Sequence, residues 1–302
     1  SSCKVNRVDL DDFHSRIKKL KLLLKLALNL SRGVDLIFLT AGYNGTRLVS
    51  KILTSLGLKS KLVLAPTGGW FTTDIVDISD IKALLIQSST LAKSVSSRTS
   101  IDVFHLPNFR PNYCSDAQPS HTKGVEGTIN FIYNSRVARD KGVFELLDAF
   151  EAIISQGYDS RLYIYGQISA DIESNFLEKV RSNTRVHYEG TYQQDDLSEI
   201  LSRMHVLVFP SYYPGEGQPG VLLDALFNSM PVVCTDWRFN NELVENNING
   251  FLVPPRNVEK LSRAMLAYII DRKLIHEHSD ESGKMFSRHD YALIRQKINK
   301  LI

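Results

Sequence analysis

Two acids, two cations and a set of glycines carry the chemistry that this sequence advertises. Glu216 stands in the loop of Phe209-Pro-Ser-Tyr-Tyr-Pro-Gly-Glu-Gly-Gln-Pro-Gly-Val-Leu-Leu-Asp224, and Asp224 follows it eight positions on. The run His205-Val-Leu-Val-Phe-Pro ahead of the loop is apolar and β-branched, as a short buried strand requires. Pro210, Pro214, Gly215 and Gly217 break it, and an amphipathic helix is predicted from Pro219 to Met230. Proline suits the first helical position, because the amide it lacks would find no partner there. A strand that feeds a loop and then a helix turns the helix's free amides toward the strand's carboxyl edge, which suits an anion, phosphate above all. An acid beside a phosphate would repel it, so Glu216 is expected to face neutral hydroxyls instead.

The second constellation is Asn134-Ser-Arg136-Val-Ala-Arg139-Asp-Lys141-Gly142, which also follows an apolar run and opens a predicted helix. A lysine at a helix start opposes the local dipole, so Lys141 implies a bound anion nearby. The bland reading is a surface lysine beside a glycine. It loses weight because the Glu216 loop follows another strand of the same predicted sheet. Together the two loops read as a site for a sugar nucleotide: cations for phosphates, acids for hydroxyls. Other candidates are weaker. Asp9-Leu-Asp11 spells an acid-x-acid metal motif but precedes a basic helix rather than ending a strand, so no metal is expected. His105, in an apolar strand, reads as a core histidine.

The elements that must position these residues alternate. Strands are predicted at 34–40, 61–66, 81–87 and 101–107, then at 129–134, 161–165, 186–189, 206–210, 231–234 and 251–254. Helices fall between the later ones, at 142–156, 170–182, 195–204, 221–229 and 241–246, followed by 258–271 and a terminal helix. Mostly apolar strands alternating with helices predict parallel sheets covered on both faces, an α/β fold of two Rossmann-like αβα domains facing across a cleft. The expected domains are 1–112, a proline- and glycine-bearing linker at 113–127, a second domain at 128–286, and a terminal helix at 287–302 that packs back toward the first domain. The 302 residues suffice for two cores, and 43% hydrophobic with 23% charged residues describes a globular chain.

Cys3, Cys114 and Cys234 are few, odd in number and far apart, as expected of a reducing, cytoplasmic compartment. No apolar run is long enough to span a membrane. The formal charge is +3, but the first sixty residues hold eleven lysines and arginines against four acids. Much of that excess lies in 16–32, where Lys18, Lys21, Lys25 and Arg32 share one side of a predicted helix and Leu20, Leu23, Leu24 and Ala27 another. Two readings stay open for it: peripheral contact with an anionic membrane surface, or a helix packed on a sheet with a solvated basic face. Nucleic acid is not an expected partner.

As a set, Arg136, Lys141-Gly142 five residues on, Glu216 and Asp224 resemble the donor domain of the retaining glycosyltransferases of family 4, which have the two-domain GT-B architecture. Ser229-Met-Pro-Val-Val-Cys-Thr-Asp-Trp237, Asn241-Glu-Leu-Val244 and Asn249-Gly-Phe-Leu-Val-Pro254 match in order. The resemblance is strong from Thr128 to about Arg263 and looser in the first domain. It implies a metal- and cofactor-independent enzyme moving a sugar from a nucleoside-diphosphate sugar, UDP- or GDP-linked, to a saccharide acceptor. A lipid-linked acceptor of bacterial surface polysaccharide synthesis, at the inner face of the plasma membrane, fits the basic first domain by analogy. Arg136 and Lys141 would hold the diphosphate, with the amides of Gln218, Gly220 and Val221 around Pro219. Glu216, beside Gly217, would take the donor-sugar hydroxyls. Asp224, where the family usually has glutamate, would take the ribose. Thr67-Gly68-Gly69 stands where many relatives carry a His-Gly on the donor-sugar side. The family's opening strand and glycine-rich loop are not seen ahead of the basic helix, so the first domain is expected to be reduced or truncated. Other readings are a nucleotide-sugar binder without turnover and a GT-B epimerase or phosphorylase.

Overall fold

A computed structural model describes residues 37–41, 51, 53–55, 57, 59–66, 81–110, 127–289 and 294–296. Thr67, Gly68 and Gly69, the basic stretch 16–32, nearly all of the linker and most of 287–302 lie outside the described residues. The chain divides into two compact units, Ser1–His105 and Leu106–Ile302.

The first unit holds a parallel sheet of β1 (Ile37–Ala41), β2 (Leu62–Pro66), β3 (Ala83–Ile86) and β4 (Asp102–His105), paired in that order. Helix α1 (Ser89–Ser96) crosses from β3 to β4, and the Ser88 hydroxyl caps it by accepting from the Leu91 amide at 3.0 Å. Leu62, Leu64, Leu84, Ile86, Ala92 and Val95 form its core. His105 is not part of that core. It is exposed at the end of β4, and its Nε2 donates to the Gln87 carbonyl at 3.1 Å.

The second unit holds β5 (Ile129–Asn134), β6 (Ser160–Tyr165), β7 (Val186–Gly190), β8 (Val206–Phe209), β9 (Val232–Thr235) and β10 (Gly250–Val253). All pair in parallel, in the order β10-β9-β8-β5-β6-β7. Successive strand residues point to opposite faces, and β5 shows the consequence. Ile129, Phe131 and Tyr133 enter one core with α2 (Val143–Ile154), α3 (Glu173–Arg181) and α6 (Val258–Ile270). Ile132 enters the other with α4 (Leu197–Ser202), α5 (Gly220–Phe227) and α7 (Lys273–Phe286). Both faces are covered, which is why these strands read as continuous apolar runs. The strand order reverses between β5 and β8, and at such a switch point ligands bind beyond the carboxyl ends of the strands.

Some predicted helix bounds change. The helix expected over 241–246 is a single 3₁₀ turn, Asn240–Glu242. Asparagine side chains outcompete the helix there: Asn240 Nδ2 donates to the Thr235 carbonyl at 3.0 Å, and Asn249 bonds the Glu245 amide and the Leu243 carbonyl. The stretch 195–204 splits into a 3₁₀ turn, Gln194–Asp196, and α4. Pro219 is the N-cap of α5, in extended geometry, rather than its first helical residue. The helix ends at Phe227, short of Met230, where Asn228 Nδ2 takes the Asp224 carbonyl at 2.7 Å and Ser229 turns left-handed at φ 50°. Among the described residues no helix is long and apolar enough to cross a membrane.

Candidate donor-binding site

The loops after β5 and β8 lie side by side at the switch point, and glycine brings them together. Gly142 adopts φ 75°, and a Cβ added to it would come within 2.2 Å of the Pro210 carbonyl oxygen. Only a residue without a side chain tolerates both the left-handed backbone and that approach. The Tyr212 amide donates to the Asp140 carbonyl at 2.9 Å and staples the two loops a second time. Within the first loop, the Tyr133 hydroxyl donates to the Arg136 carbonyl at 2.7 Å. Burial pushes that phenol's pKa far up, so it stays a donor.

Lys141 and Glu216, 75 residues apart in sequence, meet here. Lys141 Nζ donates to Glu216 Oε2 at 2.6 Å, with the side chains 11% and 10% exposed. The Ser211 hydroxyl donates to the same oxygen at 2.7 Å. The ammonium also lies over the Tyr213 ring at 4.7 Å and the Phe209 ring at 5.7 Å, within cation–π range. A charge pair so withdrawn from water persists only when its geometry is good and its remaining partners are present. Lys141 does not lie at the first turn of α2 as expected. It closes a 3₁₀ turn, Arg139–Lys141, ahead of Gly142, and the carboxylate offsets its charge.

Arg136 differs. Its side chain is 52% exposed, reaches Asp140 at 3.4 Å and lies 5.9 Å from the Tyr213 ring. Such a surface pair holds a side chain only weakly, so Arg136 can turn toward a ligand at little cost.

The loop after β9 supports the loop after β8. Thr235 Oγ1 donates to the Ser211 carbonyl, Trp237 Nε1 donates to the Tyr213 carbonyl at 2.8 Å, and Gln218 Nε2 donates to Glu242 at 2.9 Å. At the start of α5 the amides of Gly220 and Val221 point out of the helix, as the first amides of any helix do. The Leu222 amide closes a turn on the Pro219 carbonyl at 3.2 Å. Gln218 is 5% exposed and tied through its side chain, so it stiffens the loop. Gly217 continues the loop to it.

Asp224, one turn into α5, is engaged. Both its oxygens accept from Arg110, Oδ1 from Nε at 2.5 Å and Oδ2 from Nη2 at 3.1 Å. The structure thus gathers Arg136, Lys141, Gly142, Glu216, Gly217, Gln218, Pro219, Gly220, Val221 and Asp224 at one end of one sheet. It adds Ser211, Tyr213, Trp237, Asn108 and Arg110, which sequence reasoning gave no role. Ser211 carried a signal, standing directly after the strand and five residues before the acid. Arg110 carried little, flanked by Pro107 and Pro111 at the end of the expected first domain, just ahead of the linker.

Residues 128–271 match the family model of the group 1 glycosyl transferases. The match covers most of the second unit. The capsular polysaccharide biosynthesis glycosyltransferase CapM of Staphylococcus aureus is 26% identical over 214 residues, 67% of this chain and 53% of its own length. The UDP-Gal:alpha-D-GlcNAc-diphosphoundecaprenol alpha-1,3-galactosyltransferase of Escherichia coli is 27% identical over 109 residues, 36% of this chain and 27% of its own. The chain therefore spans about half or less of the relatives it matches. Among solved structures, HepE of Anabaena in complex with UDP and glucose superposes with a TM-score of 0.74 at 18% identity, covering 96% of this chain and 83% of that one. TarM of S. aureus superposes at 0.71 and 15% identity, covering 93% and 58%. The chain shares its fold with these two structures.

Proposed function

We propose that this chain transfers a sugar from a nucleoside-diphosphate sugar to a saccharide acceptor, without a metal and with retention at the anomeric carbon. The observation that carries the reading is the buried Lys141–Glu216 pair at the switch point beside the start of α5. Breaking the bond between sugar and diphosphate builds negative charge on the leaving phosphate. Lys141 supplies a cation already oriented by Glu216, itself held by Ser211, and by two aromatic rings, so little reorganisation is needed as that charge grows. Arg136, weakly held at the edge, turns onto the diphosphate when it arrives. The amides of Gly220 and Val221 add the positive end of α5.

Glu216 does two jobs. Its Oε2 fixes Lys141, and Oε1 takes hydroxyls of the donor sugar, which places the anomeric carbon relative to the cations. The relatives point to the acceptor class. One is named for capsular polysaccharide synthesis, and another for a galactosyl acceptor carried on diphosphoundecaprenol. A lipid-linked saccharide of bacterial surface polysaccharide, reached at the inner membrane face by the basic stretch 16–32, is the acceptor that follows. UDP is the first donor nucleotide to try, since HepE was solved with it.

A melting-temperature panel of UDP, GDP, ADP and their sugars tests the donor half, because a ligand at a hundred times its Kd stabilises the native state by about 2.7 kcal/mol. One base family is expected to raise the midpoint by several degrees. Donor hydrolysis or transfer then separates an enzyme from a binder. No shift with any nucleotide would overturn the reading, and a shift without turnover on any acceptor would leave the binding role alone.

A further inference from the structure

Asp224 is already held by a cation, and that cation comes from outside the two motif loops. Arg110 stands 114 residues before it in the chain and grips it through two parallel bonds, Nε to Oδ1 at 2.5 Å and Nη2 to Oδ2 at 3.1 Å. The segment bearing Arg110 is strapped to the loop that starts α5. Asn108 donates its amide to Gln218 Oε1 at 2.9 Å and its Nδ2 to the Gln218 carbonyl at 3.1 Å. His289 Nδ1 donates to the Asn108 carbonyl at 2.9 Å. Arg110 itself lies against the first residue of α5. A Cβ on Gly220 would fall 2.1 Å from Arg110 Nη2, so the absence of a side chain there is what admits the guanidinium.

We propose that Arg110 is a third phosphate-binding cation of the donor site, and that Asp224 is the residue that positions it. The inference rests on the donor reading above and deepens it. A forked Arg–carboxylate pair fixes the plane of the guanidinium as well as its place. Here the pair is partly withdrawn from water, with side chains 23% and 13% exposed. A guanidinium only donates hydrogen bonds. A phosphate oxygen only accepts them, whereas ribose hydroxyls are equally served by an acceptor. A cation beside the positive end of a helix is opposed by the dipole; Asp224 offsets part of that cost, and an arriving phosphate offsets the rest. Each Asp224 oxygen keeps a lone pair beyond its bond to Arg110, so the nucleoside arm of the test shows whether Asp224 also takes the ribose.

The test is titration calorimetry with two ligands, the nucleoside diphosphate that most stabilises the wild-type chain among UDP, GDP and ADP, and the nucleoside of the same base. Arg110→Gln is expected to weaken the diphosphate by about tenfold or more, the scale of a lost hydrogen bond to a charged group, and to leave the nucleoside within about twofold. Arg110→Lys keeps the charge and loses the fork, so it recovers part of the diphosphate affinity. Asp224→Asn weakens the diphosphate by a smaller factor and spares the nucleoside. Melting curves of each variant establish that it is folded, and Arg110→Lys carries the comparison if Arg110→Gln does not fold. Wild-type diphosphate affinity in Arg110→Gln, or an equal loss for both ligands, would overturn the proposal. Equal losses for both ligands in Asp224→Asn would return Asp224 to the ribose. If the wild-type chain binds no nucleoside diphosphate, the donor reading itself falls. If it binds and Arg110→Gln binds equally well, only this inference falls.

Discussion

Glu216 and Asp224 enter as one pattern, two acids eight residues apart around a helix start, and they end in different surroundings. Glu216 meets Lys141 from the loop of the neighbouring strand, and the pair is buried between Ser211 and the rings of Phe209 and Tyr213. Asp224 meets Arg110 from a strap that precedes the sheet altogether, and that pair is more open to water. The first pair follows from topology alone, because β5 and β8 are adjacent and their loops must touch. The second depends on a path of chain that no periodicity reports. On the proposed reading, the contrast separates a catalytic cation held by a buried carboxylate from a recognition cation held in a more open pair.

Substitutions at the two pairs should therefore behave differently. The largest effect is expected at the buried one. Lys141→Met should lower turnover by about a thousandfold, the scale set by removing one preorganised donor to a developing charge. It should also cost about 3–5 kcal/mol in denaturant unfolding, because Glu216 is left buried without its cation. The double variant Lys141→Met/Glu216→Gln should regain most of that stability and none of the activity. Purely additive stability losses would show that the two side chains are not an energetic unit.

Gly142→Ala comes next. It forces a side chain into left-handed backbone against the Pro210 carbonyl, and a loss of at least about 2 kcal/mol is expected. Nucleotide affinity should fall with it, since both loops must shift; an unchanged melting curve would contradict the close approach. The more open pair should cost less. Asp224→Asn is expected to lower stability by about 1–2 kcal/mol, and a loss as large as that at Lys141 would show that the two pairs are energetically alike.

The smallest effect lies away from the site. The buried Tyr268 hydroxyl pairs with His278 Nδ1 at 2.7 Å, and burial holds that imidazole below its ordinary pKa of 6.5, against the opposing pull of Glu277 and the Asn247 backbone. The folded chain thus stays neutral at His278 where the unfolded chain takes up a proton. The stabilisation is full above the unfolded value and is lost as pH falls below it. His278→Gln should flatten this acid limb in melting curves recorded between about pH 5 and 7.5; an unchanged slope would remove His278 as its source.

Much of this was legible. The bounds of β5 match its apolar run to the residue, and the parallel order follows from strands that are apolar on both faces. The motif loops were legible because glycine and proline punctuate them for stated steric reasons. The turn at Asn240–Glu242 was not, because asparagine side chains there replace helical bonds with bonds of their own. His105 was misread as core because strand alternation does not say which strand is an open edge. Arg110 was hidden by its setting: prolines and polar residues look alike in a linker and in a strap held by a few hydrogen bonds. The Lys141–Glu216 bond refines the motif, because the acid expected to face only sugar is also what aims the cation.

If Lys141, aimed by Glu216, binds the phosphates of a nucleoside-diphosphate sugar, neutralising the pair must weaken nucleotide binding. Titration calorimetry of UDP, GDP and ADP into the wild-type chain and into Lys141→Met/Glu216→Gln tests it most directly. One nucleotide is expected to bind the wild type, and the double variant, neutral at both positions and folded, is expected to bind it at least about thirtyfold more weakly. Equal affinity for the two proteins would contradict it.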